Sequence, residues 1–466
     1  MTDRPNILVF NPDQQRPDGL GCYGGAPATP TIDELASNGR RFTSAFATSP
    51  LCSPSRASMF TGLYPHEHGV YGNDVPLPEN NTTFVELLAD VGYRTELIGK
   101  WHLGVPVDRH TGTLWRDAPP GFDSMATALE HDVPPGEEPD YLRYLKREGV
   151  VDTDADETAW RDVPDSSVPV GRSAIPAEHH FTTWLVDRAI EFLDSHDDES
   201  PFYLQLSGFY PHFPIAPPAP YDRMYDPDAI ELPESRTLES FEDKPSLETA
   251  TVARSDYEEF SEDDLRAAWA LTYGLCTHID TQLGRLLEAL CDRNLFEDTV
   301  VVYVSDHGEM LGNHGLLWKG PFMYDDVLRV PLLVSHPSIE SGETDSLVSL
   351  ADLPPTLAEL AGCSFPAETP GQSFAPILFG ERSDHRSTVY AEYLTDESTF
   401  GANPDHPIFM VRGKRYKYAV TDGQGEVLYD LDDRPAEIHN RATDPDYRAV
   451  KRSVRTRLDR IRPSAV

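Results

Sequence analysis

A chain of 466 residues with 39% hydrophobic and 10% aromatic content has the composition of a globular protein with room for two domains and a large core. Its 78 acidic against 39 basic residues give a formal net charge of -39, which excludes nucleic acid and an anionic membrane as expected partners. Only seven of the basic residues are lysine, and an acidic, lysine-poor surface suits a protein of concentrated salt, where cations screen self-repulsion, so a halophilic habitat is expected. The five cysteines (Cys22, Cys52, Cys276, Cys291, Cys363) are scattered with no C-x-x-C pair, which suggests neither a disulfide framework nor a zinc site and fits a reducing compartment. With no charged leader and no apolar run near ~18 residues, a soluble cytoplasmic protein is expected.

In chain order, residues 6–10 form an apolar run that breaks at Asn11 and Pro12. A buried strand is expected there, ending in a loop with Asp13, Gln14, Gln15 and Arg16. Residues 31–38 read as a helix. The stretch 49–69, SPLCSPSRASMFTGLYPHEHG, reads as a helix with Ser53 as its cap, Pro54 in the first turn and Gly62 at its end. Cys52 then stands at the positive end of a helix dipole, which favours a thiolate or an anion; a buried thiol beside an ordinary helix is the other reading. Residues 83–91 predict a helix and 93–98 a strand, followed by Gly99, Lys100, Trp101, His102, Leu103 and Gly104. A lysine and a histidine two apart at a strand end can face one anion.

Residues 105–175 are rich in Pro, Gly, Asp and Glu and read as inserted loops with one helical patch at 141–148. A helix over 179–195 and a strand over 201–209 follow, then Tyr210, Pro211, His212, Phe213 and Pro214. Beyond a second proline-rich excursion, 217–257, come a long helix at 265–290 and a β-branched strand at 299–304. Ser305, Asp306, His307, Gly308 and Glu309 follow directly, then Asn313, His314, Gly315 and Lys319. A carboxylate and an imidazole on a glycine turn at the mouth of a buried strand are metal-ligand candidates.

Residues 330–335 predict another strand and 353–361 a helix. Short runs at 389–393, 408–412, 416–420 and 427–430 predict a small antiparallel sheet, closed by an Arg-rich helix over 446–461. The expected organisation is a catalytic domain over 1–380 and an α+β subdomain over 381–466. The fold class is α/β, with a large, mainly parallel mixed sheet flanked by helices.

Asp13, Gln14, Asp306, His307, Lys100, Lys319, Arg56, His102 and His212 all fall at predicted strand ends or helix starts. A sheet with parallel strands gathers such positions at one edge. Two carboxylates and an amide suit a hard cation, Ca²⁺, Mg²⁺ or Mn²⁺, and the histidine leans towards Mn²⁺. Cationic side chains and a metal around one nucleophile point to a tetrahedral oxyanion, sulfate or phosphate.

The segment CSPSRASMFTG resembles the signature of the type I, formylglycine-dependent sulfatases of the alkaline phosphatase superfamily. The likeness extends through NILVFNPDQQR, GKWHLG, PHFP, SDHGEMLGNHG with Lys319, and LYDLDDRPAEIHNRA, in the family's order over nearly the whole chain. It implies the alkaline phosphatase-like fold, and oxidation of Cys52 to formylglycine by a maturation enzyme. One hydroxyl of the hydrated aldehyde would attack sulfur, and the second would release sulfate and restore the aldehyde. The resemblance further implies one divalent metal, calcium first with magnesium or manganese open, held by Asp13, Gln14, Asp306, His307 and the modified Cys52. By the same likeness Arg56 holds the hydrate, Lys100 and Lys319 bind the sulfate oxygens, His102 acts as base at the formylglycine hydroxyl, and His212 serves the leaving alcohol. His314 lies inside a matching motif without a firm role.

Many sulfatases carry Asp-Asp and Asp-Asn where this chain has Asp13-Gln14 and Asp306-His307, pairs also found in choline sulfatases and phosphonate monoester hydrolases. The expected activity is a sulfuric ester hydrolase acting on an alkyl, aryl or sugar sulfate, a small molecule or a glycan. The enzymatic alternative is a phosphonate monoester or phosphodiester hydrolase with the same nucleophile. The alternative of another class is an inactive sulfate-ester binding protein that keeps Cys52 as a thiol. Substrate choice is expected to lie in segments 105–175 and 210–260.

Overall fold

The computed structural model describes residues 4–463 apart from 74, 105–106, 109–112, 115–117, 130–131, 134–136, 153–169, 197–199, 246–257, 259, 395–405 and 434–435. Parts of the two segments expected to choose the substrate, 153–169 and 246–257 among them, thus lie outside the described residues.

Strand β1 (Asn6–Asp13) is buried at every position. Ile7 and Val9 enter one core and Leu8 and Phe10 the other, so a strand covered on both faces reads as a continuous apolar run. It continues past the predicted break to Asp13. Asn11 still pairs with Ser207 on the neighbouring strand, its Nδ2 donates to Val304 O at 2.7 Å, and a register shift between Asn11 and Asp13 accommodates Pro12.

In order there follow α1 (Pro30–Asn38), β2 (Arg40–Phe46), α2 (Cys52–Thr61), α3 (Pro65–His68), α4 (Phe84–Asp90), β3 (Arg94–Gly99), the short pair β4 (Val107–Asp108) and β5 (Thr113–Leu114), and β6 (Ser124–Thr127). Next come α5 (Asp140–Arg147), α6 (Phe181–Asp194), β7 (Phe202–Pro211), α7 (Ser235–Leu238), α8 (Glu262–Asp292) and β8 (Thr299–Val304). The main sheet is completed by β9 (Arg329–Ser335), β10 (Gly342–Thr344) and β11 (Val348–Ser349), the last two separated from β9 by a short turn. Helix α9 (Leu353–Leu360) leads to β12 (Val389–Tyr393), β13 (Ile408–Arg412), β14 (Tyr416–Thr421), β15 (Gly425–Asp430) and α10 (Arg448–Leu458).

Among the described residues nine strands form the main sheet, in the order β10-β2-β9-β8-β1-β7-β3-β6 with β11 also on β2. The five strands β8, β1, β7, β3 and β6 are parallel neighbours, whereas β9 runs antiparallel to both β8 and β2. Strands β2 and β6 fall where the pattern predicted none: β2 is broken by a register shift between Phe42 and Ala45, and β6 is a part-exposed edge strand within the loop-rich insertion. Helices α2, α4 and α9 cover one face, and α1, α6 and α8 cover the other.

The four late strands form an antiparallel sheet, β12-β13-β14-β15. One face, with Val389, Ala391, Ile408 and Met410, joins the core of the main sheet, while Tyr390, Phe409, Val411 and Tyr418 pack with Val454 and Leu458 of α10. Among the described residues no helix is long and apolar enough to cross a membrane.

Candidate active site

Because β8, β1, β7 and β3 are parallel neighbours, their carboxyl ends bring Asp306 and His307, Asp13, His212 and Lys100 to one edge of the sheet. The close packing of β3 on β7 requires Gly99, whose φ is +105° and where a Cβ would meet Ser207 O at 2.0 Å. Helix α2 opens onto the same edge. It begins at Cys52 itself with Leu51 in the capping position and no side-chain cap, so Ser53 is not the cap its sequence predicted. Ser53 sits in the first turn, where its Oγ donates to His102 O at 2.6 Å and its N–H donates to Asn73 Oδ1 at 3.1 Å. A distant amide thus does what a local hydroxyl was expected to do. Gly62 ends the helix as predicted, at φ +71°.

All nine predicted site residues other than Cys52 gather around its sulfur or around the groups touching it. Cys52 Sγ lies 3.1 Å from His307 Nε2, 3.8 Å from Asp13 Oδ1 and 2.9 Å from Lys319 Nζ. Lys319 Nζ also reaches Gln14 Oε1 at 2.8 Å and His212 Nε2 at 2.7 Å. Lys100 Nζ pairs with Asp13 Oδ2. Arg56 is wholly buried: its Nε donates to Asp306 Oδ2 at 2.8 Å, its Nη1 to Ser207 Oγ at 2.6 Å, and its Nη2 is 3.5 Å from Asp13 Oδ2. His102 contributes a side-chain hydrogen bond to Cys52. Asp13, Cys52, Asp306 and His307 each offer a ligand atom, all within 4.8 Å of one another and all buried.

The charges hold one another ionised out of water. Burial and the Cys52 sulfur oppose ionisation of Asp13, yet Lys100, His212 and Arg56 hold its carboxyl well below the usual carboxylate range. Burial also works against a thiolate, but Lys100, Lys319 and His307 pull the Cys52 thiol well below its ordinary value. Burial, reinforced by the Lys319 ammonium, pushes His212 down. Its Nδ1–H donates to Phe213 O, which leaves Nε2 as the acceptor facing Lys319.

Left-handed backbone recurs here, with φ of +62° at Gln14, +58° at His102 and +64° at Trp318. Non-glycine residues in this region cost on the order of 1 kcal/mol each and persist where the surroundings over-determine them. At Gln14 the backbone N–H donates to Asp306 Oδ1 at 3.0 Å while the side-chain Nε2 donates to Glu309, whose carboxyl burial pushes up to about 7. At His102 the holder is Asp132, buried, whose carboxylate accepts from Trp101 N at 3.0 Å and His102 N at 2.7 Å.

Asn73, Asp132 and Ser207 were missed from sequence. Asn73 lies between the stretches 49–69 and 83–91, where no element was predicted, Asp132 lies in the stretch that reads as inserted loops, and Ser207 lies within an apolar strand run, so no local pattern marks any of the three. His314, although inside the matching motif, faces away from Cys52: its Nδ1 is 2.6 Å from Glu239 Oε2 and its ring stacks on Tyr324.

A family model described as sulfatase matches residues 5–363, and one described as N-sulphoglucosamine sulphohydrolase, C-terminal, matches residues 312–464. The chain is 31% identical to an uncharacterized sulfatase of Escherichia coli strain K12, covering 98% of this chain and 88% of that protein. It is 30% identical to an arylsulfatase of Clostridium perfringens, covering 96% and 92%. Among solved structures, the phosphonate monoester hydrolase of Agrobacterium radiobacter superposes with a TM-score of 0.83 at 28% identity, over 98% of this chain and 95% of that one.

Proposed function

The chain belongs to the sulfatase family, and from that premise we propose that it hydrolyses an alkyl, aryl or sugar sulfate ester with a nucleophile derived from Cys52. The observation that carries this reading is the placement of Cys52 Sγ within 3.1 Å of His307 and 2.9 Å of Lys319, at the start of a helix and beside the carboxyl groups of Asp13 and Asp306. Oxidised to formylglycine, Cys52 supplies a hydrated aldehyde: one hydroxyl as nucleophile towards sulfur, the other as the route by which sulfate leaves.

The donor set fits a divalent cation. Two carboxylates, an imidazole and the Cys52 position converge within 4.8 Å in a buried site, a mixed oxygen and nitrogen set suited to calcium, magnesium or manganese. Asp13, Asp306, His307 and the modified Cys52 would hold the ion, with Gln14 Oε1 alongside. When bound, it supplies positive charge that polarises the sulfate oxygens and favours the ionised hydroxyl.

The chain's own groups do the rest. Arg56 orients the Asp306 and Asp13 carboxyl groups and helps to keep Asp13 ionised. Lys100 and Lys319 bind the non-bridging sulfate oxygens, on which charge accumulates as the ester bond breaks. His102, held by Asp132, takes the proton from the formylglycine hydroxyl. His212 Nε2, 2.7 Å from Lys319 Nζ, takes a proton from that ammonium and passes it to the leaving alcohol oxygen. Asn73, its Oδ1 fixed on Ser53 N beside the nucleophile, leaves its NH₂ as a further donor for substrate.

The phosphonate alternative is favoured by a specific likeness, the superposition on two phosphonate monoester hydrolases. An aryl sulfate and an aryl phosphonate compared at equal concentration separate the two, on protein whose Cys52 peptide shows formylglycine by mass spectrometry. Faster turnover of the sulfate, abolished in Cys52→Ala, is expected; preference for the phosphonate defeats the sulfatase reading. A thiol at Cys52 in native protein, without turnover, favours a binding role.

A further inference from the structure

The segment that leaves β8 with Asp306 and His307 returns to the site at Lys319 as a hairpin. Met310 N donates to Trp318 O at 3.0 Å and Gly312 N to Leu316 O at 2.8 Å, and its tip is Asn313–Gly315. Gly312 (+92°) and Gly315 (+63°) adopt left-handed φ freely, but the same region at Leu311 (+41°), His314 (+55°) and Trp318 (+64°) shows that local preference alone does not hold this shape. Support comes from outside.

At the base, Gly308 N and Glu309 N donate to Val327 O and Asp326 O, and Arg16 Nη1 donates to Glu309 O at 2.6 Å. At the tip the anchor is His314. Its N–H donates to Ser235 Oγ at 3.1 Å, Nδ1 faces Glu239 Oε2 at 2.6 Å, Nε2 faces Asp326 Oδ2 at 3.5 Å, and the ring stacks on Tyr324 with centroids 4.0 Å apart. Both ring nitrogens meet carboxylates, so both carry protons.

We propose that His314 is a positioning residue, whose imidazolium, clamped between Glu239 and Asp326, fixes the hairpin that delivers Lys319 to Cys52, Gln14 and His212. The inference rests on the reading of Lys319 as a sulfate-binding group. Its partners come from two elements that do not otherwise form the site: Glu239 follows α7, and Asp326 lies just before β9. Neither carboxylate depends on His314 alone, because Glu239 also pairs with Lys244 at 2.5 Å and Asp326 with Arg16 at 3.0 Å. Removing the imidazole therefore strands no buried charge, and the fold survives while the tip loosens.

Burial opposes protonation of His314, but Asp326 and Glu239 push it up to about 9. Among the described residues, the charged and titratable groups facing it are these two carboxylates and the Tyr324 phenol. Behind them stand Arg16 with Asp18 from the β1 loop, Lys244 after α7, and Asp325 with Arg412 and Lys417 towards the late sheet. Since the folded value lies above the ordinary one, the clamp is complete at neutral pH and is lost as pH rises through about 9.

Full-length, formylglycine-containing wild type, His314→Gln, His314→Lys and Lys319→Ala are compared by kcat and KM for an aryl sulfate between pH 7 and pH 10, and by hydrogen exchange of the peptide 310–319. His314→Gln is expected to lose about tenfold or more in kcat, since small displacements of a catalytic group cost that much. It should also lose the alkaline limb and exchange faster in that peptide. His314→Lys, which keeps a cation, should restore slow exchange and move the limb upward. Wild-type kcat, limb and exchange in His314→Gln, with Lys319→Ala inactive, overturn the proposal. Full activity of Lys319→Ala would instead remove the role given to Lys319, and the exchange rates alone would then decide whether His314 holds the hairpin.

Discussion

Lys319 Nζ stands 2.7 Å from His212 Nε2, joining the hairpin after β8 to the loop after β7 directly above Cys52. Since His212 Nδ1–H is committed to Phe213 O, Nε2 is the ring atom that exchanges a proton in the site. His212→Ala should therefore slow alkyl sulfates, whose alcohols leave poorly, by on the order of 10²-fold or more, the usual contribution of a general acid. Aryl sulfates with acidic phenols should lose far less. A leaving-group series measures this as a steeper dependence of log kcat on phenol pKa in the variant; parallel lines would remove His212 from proton delivery.

The convergence of Asp13, Asp306 and His307 within 4.8 Å predicts that a chelator lowers both activity and thermal midpoint. An ion present at a hundredfold excess over its Kd stabilises by about 2.7 kcal/mol. Thermal scans with and without chelator, followed by re-addition of calcium, magnesium or manganese, should show recovery of midpoint and turnover together. A chelator-treated protein, verified metal-free, that retains full activity contradicts the assignment.

Two buried histidines should make the fold sensitive to acid. Burial pushes His68 and His180 down to about 3 from an ordinary 6.5, so both stay neutral when folded and take up protons when unfolded. Their contribution is complete above pH 6.5 and is lost progressively below it, at about 1.4 kcal/mol per pH unit for each histidine. Glu309, held at about 7 by burial, works in the opposite sense, so the histidine contribution is read as a difference: in urea unfolding at pH 7.5, 6.5 and 5.5 the wild type should lose stability relative to His180→Gln as pH falls, and a pH-independent difference would remove the contribution assigned to His180.

Gly308 lies where a Cβ would meet Asp326 O at 2.1 Å. Both partners are backbone and the Gly308 N–H already donates to Val327 O at 2.7 Å, so neither can give way easily. Gly308→Ala should lower stability by about 1–3 kcal/mol through overpacking, and should displace His307, with loss of activity exceeding the loss of fold. Circular dichroism melting alongside turnover tests this.

Salt should help this protein. With a net charge of -39, self-repulsion and repulsion of an anionic substrate are both screened as ionic strength rises. Unfolding midpoint and kcat/KM on a sulfate ester should increase from low to molar salt; a decrease in both would also speak against a halophilic habitat.

Much of the site was legible because the chemistry sits where apolar runs stop. Asp306 and His307 follow a β-branched run whose predicted ends are those of β8, and Lys100 and His102 follow the strand predicted over 93–98, which forms one residue later as Arg94–Gly99. The β1 boundary was missed because Pro12 looks like a stop signal, although a register shift lets the strand pass it. Ser53 was misread as a cap because sequence carries no trace of Asn73 folding back onto its N–H. Strands β2 and β6 escaped because one is interrupted and the other is a part-exposed edge without clean alternation.

By itself the sequence determined the chemical inventory and its order: a helix start bearing Cys52, and strand ends bearing acid, amide, imidazole and ammonium. These are local signals, set by where burial ends and a polar residue must begin. Only the tertiary structure decided which way those groups point. Lys319 and His314 share one short motif, yet left-handed turns between them aim Lys319 at Cys52 and His314 at Glu239 and Asp326. The physical reason is that side-chain direction in such a loop is set by partners far away in the chain, which no local pattern encodes.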